Sequence, residues 1–221
     1  MKLVSLKEVK QQPQVETYLR LGNEHLGALG FTEHGFRHAN LVASIARQIM
    51  QRLGFGERPS ELAAIAGYLH DIGNVVSRQD HGQTGAIIAM RILEQLGMPY
   101  DEVATIAAAI GNHEEEYGEA VNPVAAALIL ADKSDVHRSR VRNLELATFD
   151  IHDRVNYAAT HSFVRVDESE RLVTLELTID PTVSSIMDYF EIFLTRMVMC
   201  RRAAETLEAT FSIIINDSKL L

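Results

Sequence analysis

Apolar positions recur with a helical period along most of the chain. From about residue 14 to about residue 200, apolar side chains return every three or four residues, which predicts amphipathic helices rather than strands. The first clear stripe consists of four aliphatic residues spaced four apart: Leu41, Ile45, Ile49 and Leu53. Gly54 follows the stripe and predicts the end of that helix.

Further helical segments follow with similar spacing. Including the first, the predicted helices cover residues 38–55, 57–74, 82–98, 99–118 and 122–143. Pro59 and Ser60 stand near the start of the second segment, and Gly97 near the end of the third, where such residues are favoured. The fifth segment contains "AAALILA" and is the most apolar, so we expect it at the centre of the fold.

The pattern changes after about residue 158. Residues 162–180 alternate apolar and polar positions on both sides of "DESER", which predicts a β-hairpin. A long amphipathic helix is predicted over 181–211, with Pro181 near its start, and "SIIIND" predicts a short strand beside the hairpin. The sequence thus indicates a mainly α protein: an all-α domain over 1–157 and a small α+β appendage over 158–221, whose long helix packs on the core or forms a homodimer surface.

Composition narrows the classes of protein. The 221 residues are 47% hydrophobic, enough for a sizeable core. A net charge of −9 argues against general nucleic-acid binding, which needs a basic surface. No secretory leader and no stretch long enough to cross a membrane is evident. The single cysteine, Cys200, stands among apolar residues and is expected to be a buried thiol, so we expect a cytoplasmic protein.

Potential metal ligands stand in or at the ends of the predicted helices. They are His34, His38, His70, Asp71, His81, His113 and Asp132. A single histidine of this kind is more often an ordinary core or surface residue. Asp132 is more informative, because a carboxylate directly after "AAALILA" is costly to bury without a partner. Histidine nitrogens and carboxylates that converge on a divalent ion solve that problem.

The order of these motifs resembles a known family. "HANLVASIA", "HDIGN", "HGQTG", "NHEEEYG" and "ADKSD" together are similar to the HD-domain metal-dependent phosphohydrolases. The resemblance implies an HD-domain helical bundle. It assigns one divalent ion to His38, His70, Asp71 and Asp132. Positions found in dinuclear members match His81 and His113, so Asp71 would bridge to a second ion. Fe, Mn, Zn, Co, Ni and Mg are not distinguished.

Other residues near these motifs are candidates for catalysis and substrate binding. His34 precedes His38 by four residues, on the same face of a helix. It is either a catalytic contact to metal or phosphate, or a supporting histidine. Lys133 is a candidate for catalysis and, with the others of the set, for substrate binding: Lys133, Arg138, Arg78 and Asn74.

Neighbouring charged residues have plainer interpretations. Arg140 and Arg142 are interpreted as a basic helix end, and Asp135 as a hydrogen-bond acceptor that holds a ligand in place. The acidic run 114–116 is expected to be solvated. Asn74 replaces a lysine usual in the cyclic-di-GMP-hydrolysing branch, and no "GYP" is present, so that substrate is not expected.

The resemblance implies a reaction but no substrate. We expect hydrolysis of a phosphate ester or anhydride in a small phosphorylated molecule or a nucleotide, by metal-activated water. No "GxSxG" nucleophile motif is present. Two alternatives remain: a di-iron oxygenase on the same scaffold, and a nucleotide-binding regulatory module without catalysis.

Overall fold

The computed structural model describes residues 2–143, 145 and 148–220. It contains the helices α1 (Leu6–Lys10), α2 (Pro13–Ala28), α3 (Phe36–Arg52), α4 (Glu57–Leu69), α5 (His81–Gln95), α6 (Tyr100–Gly111), α7 (Pro123–Lys133), α8 (Ile151–Ala158) and α9 (Ile186–Thr206). Its strands are β1 (Ala159–Asp167), β2 (Leu172–Ile179), β3 (Thr210–Ile215) and β4 (Ser218–Lys219). The predicted mainly α fold with a small sheet near the carboxyl end is confirmed.

Helix α7 lies at the centre, as its apolar sequence predicts. Every residue from Val124 to Ala131 is buried. The helix contacts α3, α4, α6 and α9. Its start is set by Pro123 in the first turn and by Asn122, whose side chain accepts the backbone N–H of Ala125 at 2.8 Å. Asp132 is therefore delivered to the interior by a helix that is surrounded by other helices.

The buried face of α3 differs in part from the predicted stripe. Leu41 is 37% exposed, whereas the interior face runs through His38, Val42 and Ala46. Small residues on this face allow α4 to approach closely: a Cβ added at Gly67 would lie 2.9 Å from the Cα of Ala43. The predicted stripe is confirmed at Ile49 and Leu53, which are buried, and wrong at Leu41, because close helix packing places alanines and a histidine on the interior face there.

The carboxyl-terminal region contains the predicted hairpin. Strands β1 and β2 pair antiparallel, β3 pairs parallel with β2, and β4 closes the sheet in the order β1-β2-β3-β4. The long helix does not begin beside Pro181. Instead, the Ser185 hydroxyl accepts the Asp188 N–H, and the Asp188 carboxylate accepts the Ser185 N–H, so this pair caps the helix.

Helix α9 packs against α7 and continues the same hydrophobic core. Phe193 and Cys200 are each 1% exposed, which agrees with the expected buried thiol, while Met187 is 74% exposed and Leu194 57% exposed. A homodimer surface on those exposed residues stays a prediction, as does the division of the chain after residue 157. Within the part of the chain that the structure describes, none of the helices is both long and apolar enough to span a membrane.

Candidate metal centre

Six candidate ligands converge from five helical segments. His38 lies in the first turn of α3, His81 begins α5, and Asp132 lies in the last turn of α7. His113 follows α6, while His70 and Asp71 end α4 where the chain tightens into a short 3₁₀ turn over Ile72–Val75.

Gly73 allows α5 to approach this turn. A Cβ added at Gly73 would lie 2.0 Å from the carbonyl oxygen of His81, a distance that no side chain could occupy. The glycine in "HDIGN" thus brings the start of α5, with His81, against Asp71.

His38 and His70, called here the inner pair, face each other through their Nε2 atoms at 3.1 Å. Asp132 Oδ1 lies 3.3 Å from Nε2 of His38 and 3.5 Å from Nε2 of His70. Asp71 Oδ2 lies 3.6 Å and 3.4 Å from the same two nitrogens. Two histidine nitrogens and two carboxylate oxygens therefore surround one point.

His81 and His113, called the outer pair, repeat the arrangement with fewer carboxylates. Their Nε2 atoms are 3.1 Å apart, and the other oxygen of Asp71, Oδ1, lies 3.3 Å from Nε2 of His81. Asp71 is thus shared: Oδ2 faces the inner pair and Oδ1 faces the outer pair. This placement is the one that a bridging carboxylate requires.

Hydrogen bonds at the opposite ring nitrogens orient all four imidazoles. His70, His81 and His113 donate Nδ1–H to backbone carbonyls, at 2.8 Å to Gly67, 3.0 Å to Arg78 and 2.6 Å to Ile110 respectively. His38 donates Nδ1–H to Asp135 Oδ2 at 2.7 Å. In the neutral rings, the Nε2 lone pairs then point at one another, an arrangement that a cation between them stabilises.

An unsatisfied carboxylate oxygen supports the same conclusion. Asp71 Oδ2 is buried and accepts no hydrogen bond from the described residues. A buried carboxylate oxygen without a donor is unfavourable unless a cation is present. Three triplets place their ligand atoms within 4.8 Å of one another: His38, His70 and Asp71; His70, His113 and Asp132; Asp71, His81 and His113. The residues therefore fit divalent metal.

Ionisation of the site matches cation binding. Burial alone would raise the pKa of Asp71, but the neighbouring imidazoles, His70 foremost, outweigh burial and hold that pKa well below its usual range. The pKa of Asp132 is likewise held low, because Lys133 and His38 outweigh burial. Burial, aided by His70 and His81, lowers the pKa of His113 well below 6.5, so this ring is neutral. Anionic carboxylates and a neutral imidazole are the forms that bind metal.

A cavity of about 550 Å³ opens over the outer pair. Its wall contains Asp71, His81, His113 and Asp132, but neither residue of the inner pair. Four cationic side chains also line it: Arg78, Lys133, Arg140 and Arg196.

Two of these cations are already paired. Lys133 Nζ lies 2.8 Å from Asp132 Oδ2 and 3.6 Å from Glu115, and Arg196 Nε lies 2.5 Å from the same glutamate. The other two have donors to spare. Arg78 contacts His81 Nε2 at 3.3 Å and Asp71 Oδ1 at 3.9 Å, both candidate metal ligands.

Arg140, interpreted from sequence as a basic helix end, is instead a buried cavity residue. It donates to the carbonyls of Glu33 and Asp135 and to Nε2 of His34, at 3.2, 2.8 and 3.0 Å. Its Nε also lies 3.7 Å from Asp135 Oδ2, so the guanidinium is partly neutralised. A guanidinium has five N–H groups, so two remain free of hydrogen bonds to these partners. Arg142, by contrast, donates to the carbonyls of Phe31 and Asn23 outside the centre, both at 3.0 Å.

His34 lines the cavity, but not for the predicted reason. It precedes α3, whose cap is Gly35, so it does not share a helical face with His38. Its Nδ1–H donates to the carbonyl of Thr32 at 2.8 Å, and Nε2 accepts from Arg140. Burial, with the charge of Arg140, lowers its pKa well below 6.5. His34 therefore orients Arg140 as a neutral acceptor.

Asn74 and Arg138, which were also predicted to bind substrate, do not line the cavity. Asn74 is buried and donates to Asp71 Oδ1 at 2.8 Å, so it orients a ligand rather than reaching the cavity. Arg138 does not line the cavity; its guanidinium lies over the Tyr157 ring at 5.2 Å. The prediction for Arg138 assumed that α7 continues, but the helix ends at Lys133.

The supporting acids are partly as predicted. Asp135 accepts from His38 and, at 3.2 and 2.7 Å, from Arg37, in agreement with its predicted role as an acceptor. Glu114 is not solvated as expected: it lies 3.1 Å from Nδ1 of His81 and accepts the N–H of Gly82. Its side chain is only 11% exposed, because the chain after α6 folds over the start of α5.

Comparison with known proteins agrees with this arrangement. A family model described as "HD domain" matches residues 35–190, which is more than half of the chain. The chain belongs to the HD-domain family. That family consists generally of metal-dependent phosphohydrolases.

One curated relative is itself uncharacterised. This HD-domain chain is 27% identical over 157 residues to the uncharacterized protein MJ1020 of Methanocaldococcus jannaschii. The match covers 61% of the chain and 60% of that relative, so it spans less than two thirds of the relative's length.

Proposed function

We propose that this HD-domain protein is a metal-dependent phosphohydrolase that cleaves a phosphate ester or anhydride of a small molecule, with nucleotides among the candidate substrates. The observation that carries the proposal is the position of Asp71. Its two oxygens face two separate histidine pairs, directly beneath a cavity lined by arginines.

The donor set suits two divalent ions. By the distances among their ligand atoms, His38, His70 and Asp132 would hold one ion, His81 and His113 the other, and Asp71 both. Bound divalent ions supply Lewis acidity, which activates water and neutralises charge on the phosphoryl oxygens. Nitrogen and carboxylate ligands suit Mn, Fe, Zn, Co and Ni better than Mg, which prefers oxygen ligands throughout.

The arginines account for phosphate recognition. Arg140 is fixed by two carbonyls and a neutral imidazole, and its Nε lies 3.7 Å from the Asp135 carboxylate, which Arg37 also contacts. Its two remaining N–H groups are available to phosphoryl oxygens. Arg78 donates to Nε2 of His81, the atom through which His81 would bind a metal ion. Its guanidinium would then be available to phosphoryl oxygens, for which planar paired donors are well suited.

Lys133 adds positive charge at the other side of the centre. Its ammonium lies between Asp132 and Glu115 and lines the cavity. We assign it to orienting Asp132 and to neutralising charge on the phosphoryl oxygens at that side of the cavity. Neither role needs a protein nucleophile; Cys200 is buried, and burial raises the pKa of its thiol to about 12.

A substrate and metal screen tests the proposal. Protein purified without chelator is loaded separately with Mn, Fe, Zn, Co, Ni or Mg and assayed for phosphate release from phosphomonoesters, phosphodiesters and nucleotides. We expect release with at least one metal, lost in Asp71→Asn and retained in Asp101→Asn, an exposed acid in the first turn of α6.

Other outcomes would favour the alternatives. Oxygen consumption with Fe(II) and no phosphate release would support an oxygenase. Nucleotide binding that persists in Asp71→Asn, without turnover under any metal, would support a regulatory module.

A further inference from the structure

We propose that the organic group of the substrate carries a planar ring and binds in a side chamber next to the metal centre; this inference rests on the proposed phosphohydrolase function. The chamber is a second cavity of about 270 Å³. Its wall is formed by Leu29, Gly30, Phe31, Thr32, His34, Arg78, Arg140, Asp150, His152, Asp153, Asn156, Phe193 and Arg196.

The chamber and the main cavity share one wall. Residues common to both are Phe31, His34, Arg78, Arg140 and Arg196. Three of them are arginines, whose guanidinium groups can contact a phosphoryl group at the boundary between the two cavities. A phosphoryl group held there has the metal centre on one side and the chamber on the other. The chamber is then the space open to its organic group.

One phenyl ring and guanidinium planes line the boundary. The guanidinium of Arg78 lies over the Phe31 ring at 5.8 Å. That of Arg196 lies over the Phe193 ring at 4.2 Å, and because Phe193 is buried, the guanidinium is the surface that faces the chamber. Phenyl and guanidinium planes both stack on planar rings, with little dependence on ring substituents. An aliphatic polyol would gain much less from these surfaces.

Phe31 is pre-ordered although its ring is 41% exposed. Its N–H donates to the carbonyl of Leu26 at 2.9 Å, and its carbonyl accepts from Arg142 at 3.0 Å. An exposed phenyl ring on a fixed backbone binds a partner with little loss of conformational entropy.

Two carboxylates also line the chamber, and the part of its wall that they form is called here the acidic end. These are Asp150 and Asp153, and burial, followed by the charge of Asp150, raises the pKa of Asp153. A ring substituent that is anionic would be repelled there, whereas a hydroxyl or a cation would be accepted. The chamber therefore fits a substrate with its negative charge confined to the phosphoryl end.

Binding of two phosphonates tests the chamber without requiring turnover. The metal-loaded protein is titrated with benzylphosphonate and with methylphosphonate, which share the anionic head and differ in the ring. We expect benzylphosphonate to bind about tenfold more tightly, a difference typical of one stacked ring.

A matched pair of variants assigns the preference. Phe31→Ala should remove most of the preference for the benzyl group, so that the two phosphonates bind this variant with similar affinity. Phe36→Ala, at a phenylalanine 37% exposed that lines neither cavity, should preserve that preference. Equal binding of the two phosphonates, or an unchanged preference in Phe31→Ala, would overturn the proposal.

A second pair of ligands tests the acidic end. A para-aminomethyl group on benzylphosphonate should tighten binding and a para-carboxylate should weaken it, with both effects reduced in Asp153→Asn. A tighter carboxylate would contradict the assignment of the acidic end.

Phosphonate binding and phosphate release together distinguish failure of the chamber proposal from failure of the proposed hydrolase function. Ring preference without phosphate release from any substrate would preserve the chamber and refute hydrolysis. Phosphate release without ring preference would refute the chamber alone.

Discussion

The inner and outer histidine pairs have the same internal spacing but different surroundings. Both pairs oppose their Nε2 atoms at 3.1 Å. The inner pair faces oxygens of both Asp71 and Asp132 and lies away from the cavity. The outer pair faces one oxygen of Asp71 and lines the cavity.

The residues behind the two pairs also differ. His38 is oriented by the carboxylate of Asp135. That carboxylate also accepts two hydrogen bonds from Arg37. The outer pair is held through backbone carbonyls, with Glu114 beside His81. We infer that the inner half binds its ion more tightly, while the outer half is the one accessible to substrate and to exchange.

Removing the shared carboxylate of Asp71 should lower the metal content more than any other substitution. Asp71→Asn takes the charge from both halves, so we expect metal content to fall from about two ions per chain to less than one. His81→Ala should remove about one ion, and the residual ion should resist chelator longer than the one lost. Elemental analysis after graded chelator treatment measures both results, with Asp101→Asn as the control.

Two results of this experiment would contradict the proposed division into an inner and an outer half. If His81→Ala lost both ions, the halves would not be separable. If Asp71→Asn kept both, Asp71 would not bridge them.

Substitution of the acids beside Nδ1 of His38 and His81 should lower metal affinity less than loss of Asp71 does, and by different amounts in the two halves. Asp135→Asn should weaken the inner ion by about 10- to 100-fold, as is common when the carboxylate behind a ligating histidine is lost. Glu114→Gln should weaken the outer ion less, because His81 also donates to the Arg78 carbonyl. Competition titrations with a fluorescent chelator measure the two affinities. An equal loss in both variants would contradict the difference between the halves.

Lowering the pH should weaken metal binding at the inner pair before it weakens metal binding at the outer pair. Burial and Arg140 lower the pKa of His38, but hydrogen bonds to Asp132 and Asp135 outweigh them and raise it above 6.5. As the pH falls through this raised pKa, a proton competes with metal, and affinity should fall by up to about tenfold per pH unit. His113, whose pKa is lowered, stays neutral at that pH.

Metal-binding isotherms between about pH 8 and 5 would show this competition. Asp135→Asn should move the midpoint to lower pH, since it removes one group that raises the pKa of His38. An unchanged midpoint would show that Asp135 does not act through His38.

Local patterns sufficed for much of this fold. The helices that carry ligands, the hairpin and the strand of "SIIIND" follow from periodicities of 3.6 and 2 residues, which depend on neighbours in sequence. The start of α9 was misplaced at Pro181, because a proline marks a helix start less specifically than the Ser185–Asp188 capping box. The stripe on α3 was right at Ile49 and Leu53 but wrong at Leu41, because burial at that end of the helix depends on the partner helix.

The sequence by itself determined which residue types could bind metal and in what order, since His, Asp and their helical settings are visible in one chain. Only the tertiary structure decided that Asp71 faces two pairs, that Arg140 is held by His34, and that Glu114 supports His81. These contacts join segments far apart in sequence, and their geometry depends on how helices pack. No local period records that packing.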